Sequence, residues 1–307
     1  MTERVAAIDC GTNSIRLLVA DLDGVTQTDL IRRMEIVRLG EGVDRTGRLS
    51  DAAIERTRQR LGEYARQIAD LGAQRVRMVA TSASRDAANA DDFRAMVQAT
   101  IGHDPEVITG DEEARLSFIG AVRGVGADNP GPYLVVDIGG GSTEFVSGSA
   151  RVDAAHSVDI GCVRMTERHL RSDPPTPAEI DAATADIDTA IDQALTLVHP
   201  APDATLIGLA GSVTTVALIA LGLPDYDPTR IHGSRITYEQ VSKVTHDLLA
   251  ATHAERAAIG GMHPGRIDVI GAGALILRTI MERTEISSVI ASEHDILDGI
   301  AWSLVSA

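Results

Sequence analysis

Eight consecutive residues, Asp137-Ile138-Gly139-Gly140-Gly141-Ser142-Thr143-Glu144, gather the means to hold a phosphate and a metal directly after an apolar run. Three glycines let backbone N–H groups converge on an anion without Cβ obstruction, and Ser142 and Thr143 add hydroxyl donors. Asp137 and Glu144 flank that cradle with hard oxygens suited to Mg²⁺, which binds through one or two carboxylates plus phosphate oxygens. A tight hairpin with exposed acids would use the same glycines, so this segment alone leaves two readings open. A second copy of the pattern lies 128 residues earlier, where Asp9, Gly11 and Ser14 repeat the spacing of Asp137, Gly139 and Ser142. Two such loops facing each other would clamp a phosphate chain and its metal from both sides. In the first loop Gly11, Thr12, Asn13 and Ser14 offer donors. Arg16 just beyond reads either as a ligand or as a surface strand residue.

Three further clusters could take part. Thr81-Ser82-Ala83-Ser84-Arg85 stands where a strand should end, the usual place of ligand loops in α/β folds. Arg85 there can bind phosphate bidentately or pair with Asp86. Asp111-Glu112-Glu113-Ala114-Arg115 opens a helix, where one acid can face inward to orient and deprotonate a water while its neighbour faces solvent. Complementing the helix dipole is the plainer use of the same acids. Gly211-Ser212-Val213-Thr214-Thr215 reads equally as a small-residue ligand loop or as packing. The histidines form no His-Glu-x-x-His motif, and His232 and His294 are isolated in the sequence, which favours structural roles.

These loops need a scaffold that delivers them, and the periodicities supply one. VAAIDCGTNSIRLLVAD and PYLVVDIGGGSTEFVSG each read as strand, turn, strand. Between them Ser50 caps a helix that Gly72 stops, RVRMVA is a strand, DDFRAMVQATIG a helix, PEVITG a short strand, and DEEARLSFIGAVRGVG a helix. Further on, Thr176-Pro177-Ala178-Glu179 forms a capping box opening a helix to about Val198, and Thr237 with Gln240 forms another. Alternating strands and helices indicate an α/β protein. The length of 307 residues supports two domains, and the boundary falls near Gly120 to Gly131. Ala204 to Pro224 is uncharged over about a membrane span, but its central glycines and hydroxyls fit a buried strand, a loop and a buried helix better.

Composition removes several function classes. Lys+Arg number 28 against 44 Asp+Glu, a net charge of −16, which opposes any partner held by bulk charge, such as duplex nucleic acid or an anionic membrane. Aromatics are 3%, too few for base-stacking or sugar-binding platforms. The one lysine, Lys243, has no glycine-rich approach, which counts against a phosphate-loop NTPase. Cys10 and Cys162 lie far apart, and the first residues show no signal peptide, so the chain reads as soluble and cytoplasmic.

IDCGTNSIRLLV, VRLGEGVDRTGRLS, VATSASRDAANADDF, ITGDEEARLSFIGAV, VVDIGGGSTEF and LAGSVTTVAL follow one another in an order that resembles the exopolyphosphatase/guanosine pentaphosphate phosphohydrolase family over nearly the whole chain. The two loops alone would indicate only the actin-like ATPase superfamily, shared with sugar kinases; TSASR and GDEEAR narrow it. The resemblance implies two ribonuclease-H-like domains flanking a central cleft, residues 1–120 and 121–307, with a last helix at about 294–307 that packs back on the first. It also implies Mg²⁺-dependent removal of terminal phosphate from polyphosphate, with Mn²⁺ as a substitute, and suggests a homodimer. By position, Glu113 is implied as the catalytic base, with Glu112 the less favoured neighbour. Asp9, Asp137 and Glu144 are implied as metal and water-orienting acids, and Asn13, Ser14, Arg85, Gly139, Gly140, Gly141, Ser142 and Thr143 as phosphate ligands. Longer family members carry additional C-terminal domains for which this chain has no room, so a preference for short chains, or for another phosphoanhydride, is expected.

The leading expectation is therefore an exopolyphosphatase. Guanosine pentaphosphate 5′-phosphohydrolysis uses the same chemistry on a nucleotide, an ATP-dependent kinase shares the superfamily, and a nucleotide-gated scaffold is the alternative outside catalysis. The acidity falls mostly in the second half: residues 1–120 carry net −4 and 121–307 net −12. Substrate affinity must come from a metal, backbone N–H groups and a few local arginines, because remote charges are screened within roughly 8–10 Å at physiological salt.

Overall fold

The computed structural model describes residues 2–126 and 128–305. Contacts divide it into two units, one of residues 1–120 with 296–307 and the other of residues 121–295. In the first unit the apolar runs on either side of the Gly11–Ser14 turn form β1 (Glu3–Cys10) and β2 (Ser14–Leu22), an antiparallel hairpin that pairs Cys10 with Ile15 and Asp9 with Arg16. β3 (Gln27–Ile36) adds to β2, and α1 (Val43–Thr46) follows. α2 (Asp51–Leu71) starts where the Ser50 side chain accepts the Ala53 N–H and ends at Gly72 in the left-handed region. β4 (Arg75–Ala80), α3 (Ser82–Asp86), α4 (Ala90–Ile101), β5 (Glu106–Val107) and α5 (Gly110–Val125) complete the run. The sheet order is β3-β2-β1-β4-β5, with β4 and β5 parallel to β1.

The second unit begins with the matching hairpin, β6 (Tyr133–Ile138) and β7 (Thr143–Gly148), then β8 (Val152–Val158), α6 (Cys162–His169) and α7 (Pro177–Val198). β9 (Thr205–Leu209), α8 (Ala210–Ala220), α9 (Pro228–Ile231), β10 (Arg235–Thr237), α10 (Tyr238–Ala250), α11 (His253–Ala257), α12 (Ile270–Thr284) and β11 (Ser288–Ala291) follow. Read from the hairpin side, the sheet runs β8-β7-β6-β9-β11-β10. Its first five positions repeat the first unit: three antiparallel strands, then two parallel to the first strand of the hairpin. That shared arrangement is the ribonuclease-H-like fold, built twice. Both predicted capping boxes form, at Thr176 with Glu179 and at Thr237 with Gln240; a third, Thr252 with Glu255, opens α11. The uncharged stretch becomes β9 and α8, and no helix among the described residues is long and apolar enough to cross a membrane.

The hairpin strands β1, β2, β6 and β7 are buried on both faces, whereas the outer strands β3 and β8 are only partly covered. In the first unit α2 and α4 cover one face through Leu61, Tyr64 and Phe93. The other face, with Val5, Ala7, Leu18 and Val79, is covered by α13 (Ile296–Ser303) through Ile296, Leu297, Ile300 and Trp302. An ion pair buried on its carboxylate side adds to this apolar contact. The fully buried Asp298 accepts from Arg32 Nη2 at 2.5 Å and from Gln27 Nε2 at 2.6 Å, both on β3. Residues 306 and 307, which the expected last helix included, lie outside the described residues.

Candidate active site

Each hairpin delivers its turn with the same internal geometry. Gly11 N–H donates to Ser14 O at 2.9 Å, and Gly139 N–H donates to Ser142 O at 3.0 Å. What differs is how the turn carbonyls are held from behind. In the first unit the loop after β3 supplies backbone donors: Gly40 N–H to Thr12 O at 2.8 Å, and Val37 and Arg38 N–H to Asn13 O at 3.0 and 2.8 Å. In the second unit the start of α6 does this. Cys162 N–H donates to Gly139 O, and Val163 and Arg164 N–H donate to Gly140 O at 2.9 and 3.1 Å. In a planar trans peptide the C=O and the next N–H point in opposite directions. Carbonyls drawn back in this way turn the N–H groups of Asn13, Ser14, Gly140 and Gly141 outward, as an anion cradle needs.

Two hydroxyls next to the turns differ in use. Thr12 Oγ1 and Ser82 Oγ lie 2.9 Å apart, tying the first turn to the Thr81–Arg85 segment. Thr143 corrects an expectation: its side chain is fully buried and its Oγ1 donates to Ile160 O, so it braces the second turn and offers no hydroxyl to a phosphate.

Carboxylates stand beside both turns. Asp137 and Glu144 are partners across the β6–β7 ladder, so their side chains leave the same face of the sheet, and both are buried. Glu144 Oε1 accepts the Ser157 hydroxyl at 2.7 Å. Two adjacent buried carboxylates disfavour a shared negative charge, which a cation between them relieves. Their hard oxygens therefore fit a divalent ion. Among the described residues no three His, Cys, Asp or Glu gather closely enough to hold a metal by protein ligands alone. An ion here would complete its shell with water and phosphate oxygens. In the first unit Asp9 is buried and its Oδ2 accepts from Arg16 Nε at 2.9 Å and Nη2 at 2.5 Å. Arg16 is thus a largely buried partner of Asp9, placed there because the β1–β2 register sets the two residues opposite each other.

The acidic cluster on α5 separates cleanly. Glu112 is 41% exposed and pairs with Arg77 at 3.3 Å, on the side that carries Glu106. Glu113, one helical step of about 100° away, is buried and faces Arg85, whose Nη1 lies 3.4 Å from Oε2. The same nitrogen donates to Ile108 O at 2.9 Å, which fixes the guanidinium between the end of β5 and the start of α5. Ser84, completely buried one residue earlier, has an Oγ with no hydrogen-bond partner.

Some features escaped the sequence reading. Arg266 lies across Gly211 at the start of α8, so close that a Cβ on Gly211 would stand 2.2 Å from its Cζ. Its Nη1 donates to Gly211 O and Thr215 Oγ1, both at 2.9 Å. Nothing in the sequence flags this arginine, which ends a single 3₁₀ turn (Pro264–Arg266) far along the chain. Ala210, which joins β9 to α8, holds a left-handed φ of 64°, a strain that sequence alone does not disclose. His232 and His294, isolated in the sequence, stack with ring centroids 4.8 Å apart. The two thiols are not nucleophile candidates. Burial, and then the charge of Asp9, pushes Cys10 far up; burial raises Cys162 despite a hydrogen bond with Ser212.

Comparison with known proteins bears on this geometry. The model of the Ppx/GppA phosphatase family matches residues 18–307. Exopolyphosphatase 2 of Mycobacterium tuberculosis is 49% identical over 314 residues, covering 98% of both chains. A solved exopolyphosphatase-like protein superposes with a TM-score of 0.95 at 45% identity, covering 98% of this chain and 97% of that one. The Aquifex aeolicus member of the Ppx/GppA family gives a TM-score of 0.84 at 33% identity, covering 100% and 98%.

Proposed function

This chain belongs to the Ppx/GppA phosphatase family, and from that premise we propose that it is an exopolyphosphatase, releasing orthophosphate from the end of inorganic polyphosphate. The observation that carries the reading is the near-full-length similarity to Exopolyphosphatase 2 of Mycobacterium tuberculosis, which spans every loop described above.

Each residue then has a task. In the first unit the outward N–H groups of the Gly11–Ser14 turn, with Arg85, bind phosphate oxygens; in the second unit those of the Gly139–Ser142 turn, with Arg266, do so. Glu113 is the general base. Its carboxylate accepts a proton from water as the water oxygen bonds to the terminal phosphorus, and the bond from that phosphorus to the bridging oxygen breaks. The bridging oxygen remains on the polymer, now one unit shorter, and orthophosphate leaves. Arg85, held by Ile108 O, keeps Glu113 oriented. Asp137 and Glu144 would hold the divalent ion, Mg²⁺ by the chemistry of their oxygens, and that ion supplies neutralisation of phosphoryl charge when bound.

The test is orthophosphate release from polyphosphates of defined length, guanosine pentaphosphate and ATP, with Mg²⁺ and with excess chelator. Release from polyphosphate that stops with chelator is expected. Release from ATP alone, or release indifferent to chelator, overturns the proposal; release only from guanosine pentaphosphate reassigns the substrate within the family.

A further inference from the structure

The backbone of the second turn is held by two kinds of bond, and one of them depends on a single side chain. Gly139 O and Gly140 O are drawn back by the N–H groups of Cys162, Val163 and Arg164, which any residue at those positions supplies. Gly141 O is drawn back by Arg164 Nε at 2.8 Å. In the first unit the corresponding carbonyl, Asn13 O, receives two backbone N–H groups. From this asymmetry we infer that Arg164 is a positioning residue: it fixes the Gly141–Ser142 peptide so that the Ser142 N–H stays outward to bind phosphate.

The physical reason lies in the freedom of the segment. Gly140 and Gly141 carry no Cβ, so a rotation of the peptide that follows Gly141 meets little steric resistance. A flipped peptide would aim its carbonyl oxygen where a phosphate oxygen should sit, replacing an attraction by a repulsion. The other side of the turn is closed by contact. A Cβ on Gly161 would stand 2.3 Å from Gly140 O and 2.5 Å from Gly141 N, so the start of α6 presses directly on the turn. That contact prevents the turn from sinking toward α6, but it does not choose the direction of the Gly141 carbonyl. Arg164 does. Its side chain is only 14% exposed, and its Nη2 stands 3.9 Å from the exposed Asp159 carboxylate, which keeps the guanidinium on the α6 side of the turn.

The role rests on the reading of this turn as a phosphate site, and the experiment keeps the two separable. Wild type, Arg164→Met and Arg164→Gln are compared for steady-state polyphosphate hydrolysis, orthophosphate binding by calorimetry, and Tm. Gln retains an N–H donor without charge, whereas Met retains neither. With Arg164→Met, kcat falls about 10- to 100-fold and orthophosphate binding weakens, the range for a misdirected donor at a reacting phosphate. KM and Tm stay close to wild type, and Arg164→Gln recovers most of both losses. An unchanged kcat in Arg164→Met, or a Gln variant as impaired as Met, overturns the role; the second outcome assigns the effect to charge. Wild type that binds orthophosphate but does not hydrolyse polyphosphate refutes the proposed substrate only, and the binding series still decides the role of Arg164. Wild type that binds no orthophosphate overturns the role.

Discussion

Replacing Glu113 by Gln separates catalysis from stability, because the structure makes the two effects very different in size. Gln keeps the shape and an acceptor oxygen but cannot take a proton. Loss of a general base costs about 10²–10⁴ in rate, or roughly 3–5 kcal/mol of transition-state stabilisation. The folded state should lose far less. The Arg85–Glu113 contact is long, at 3.4 Å, and Arg85 is 27% exposed and retains its bond to Ile108 O. Together these limit the stability loss to about 1 kcal/mol or less. The control is Glu112→Gln, whose side chain is 41% exposed and pairs only at the surface with Arg77. Orthophosphate release from polyphosphate, measured with urea denaturation of the same preparations, should show Glu113→Gln at 1% of wild-type kcat or below by this arithmetic. Glu112→Gln should stay within about twofold, since surface changes of this kind cost within about 0.5 kcal/mol. A Glu113→Gln enzyme within tenfold of wild type, or a Glu112→Gln enzyme equally impaired, would refute the assignment of the base.

Two further predictions concern the scaffold. Asp298→Ala should destabilise the first unit by about 2–3 kcal/mol, below the 3–5 kcal/mol for breaking a fully buried pair, because Arg32 is 29% exposed and can turn to water. The single Trp302 sits on the same helix as Asp298, so its fluorescence during urea unfolding reads this unit directly; no shift of that transition would show the pair to be incidental. At the start of α7, hydrogen bonds from Thr176 N–H and Oγ1, and from Ser172 and Arg171, hold the Glu179 carboxyl at about 2. A depressed value means stabilisation that is present above the ordinary glutamate range of about 4.5 and is lost as pH falls through 2. Carbon-detected NMR titration should therefore show Glu179 ionised at pH 3, with Thr176→Val moving it upward; an ordinary titration in wild type would contradict the capping box.

Much of this architecture was legible in the sequence because short-range rules wrote it. Ser50, Thr176 and Thr237 announce helix starts through bonds spanning three residues, and the twin Asp-x-Gly-x-x-Ser segments become twin hairpins with the same turn bond. Glu113 could be ranked above Glu112 but not separated from it, since only the packing of α5 against the Arg85 segment decides which acid is covered. Arg266 and the His232–His294 stack were illegible for a related reason. Each contact joins residues more than fifty positions apart, and no local pattern records it. Thr143 was misread because its type suits a phosphate donor equally well, and its direction depends on Ile160, seventeen residues on.

The covering of one sheet face by α13 also sets an order of events. Residues 1–120 leave Val5, Ala7, Leu18 and Val79 with only the partial cover of Ile108 and Leu116 until residues 296–302 have been synthesised. At about 5–20 residues per second, ribosomes take roughly 9–35 seconds to cross the intervening 175 residues. Throughout that time the nascent first unit presents a half-finished sheet, while the second unit, one uninterrupted segment, is complete before residue 296 is added. The part made first is thus finished last, and a chain halted between the two leaves a sticky surface open to chaperones and proteases.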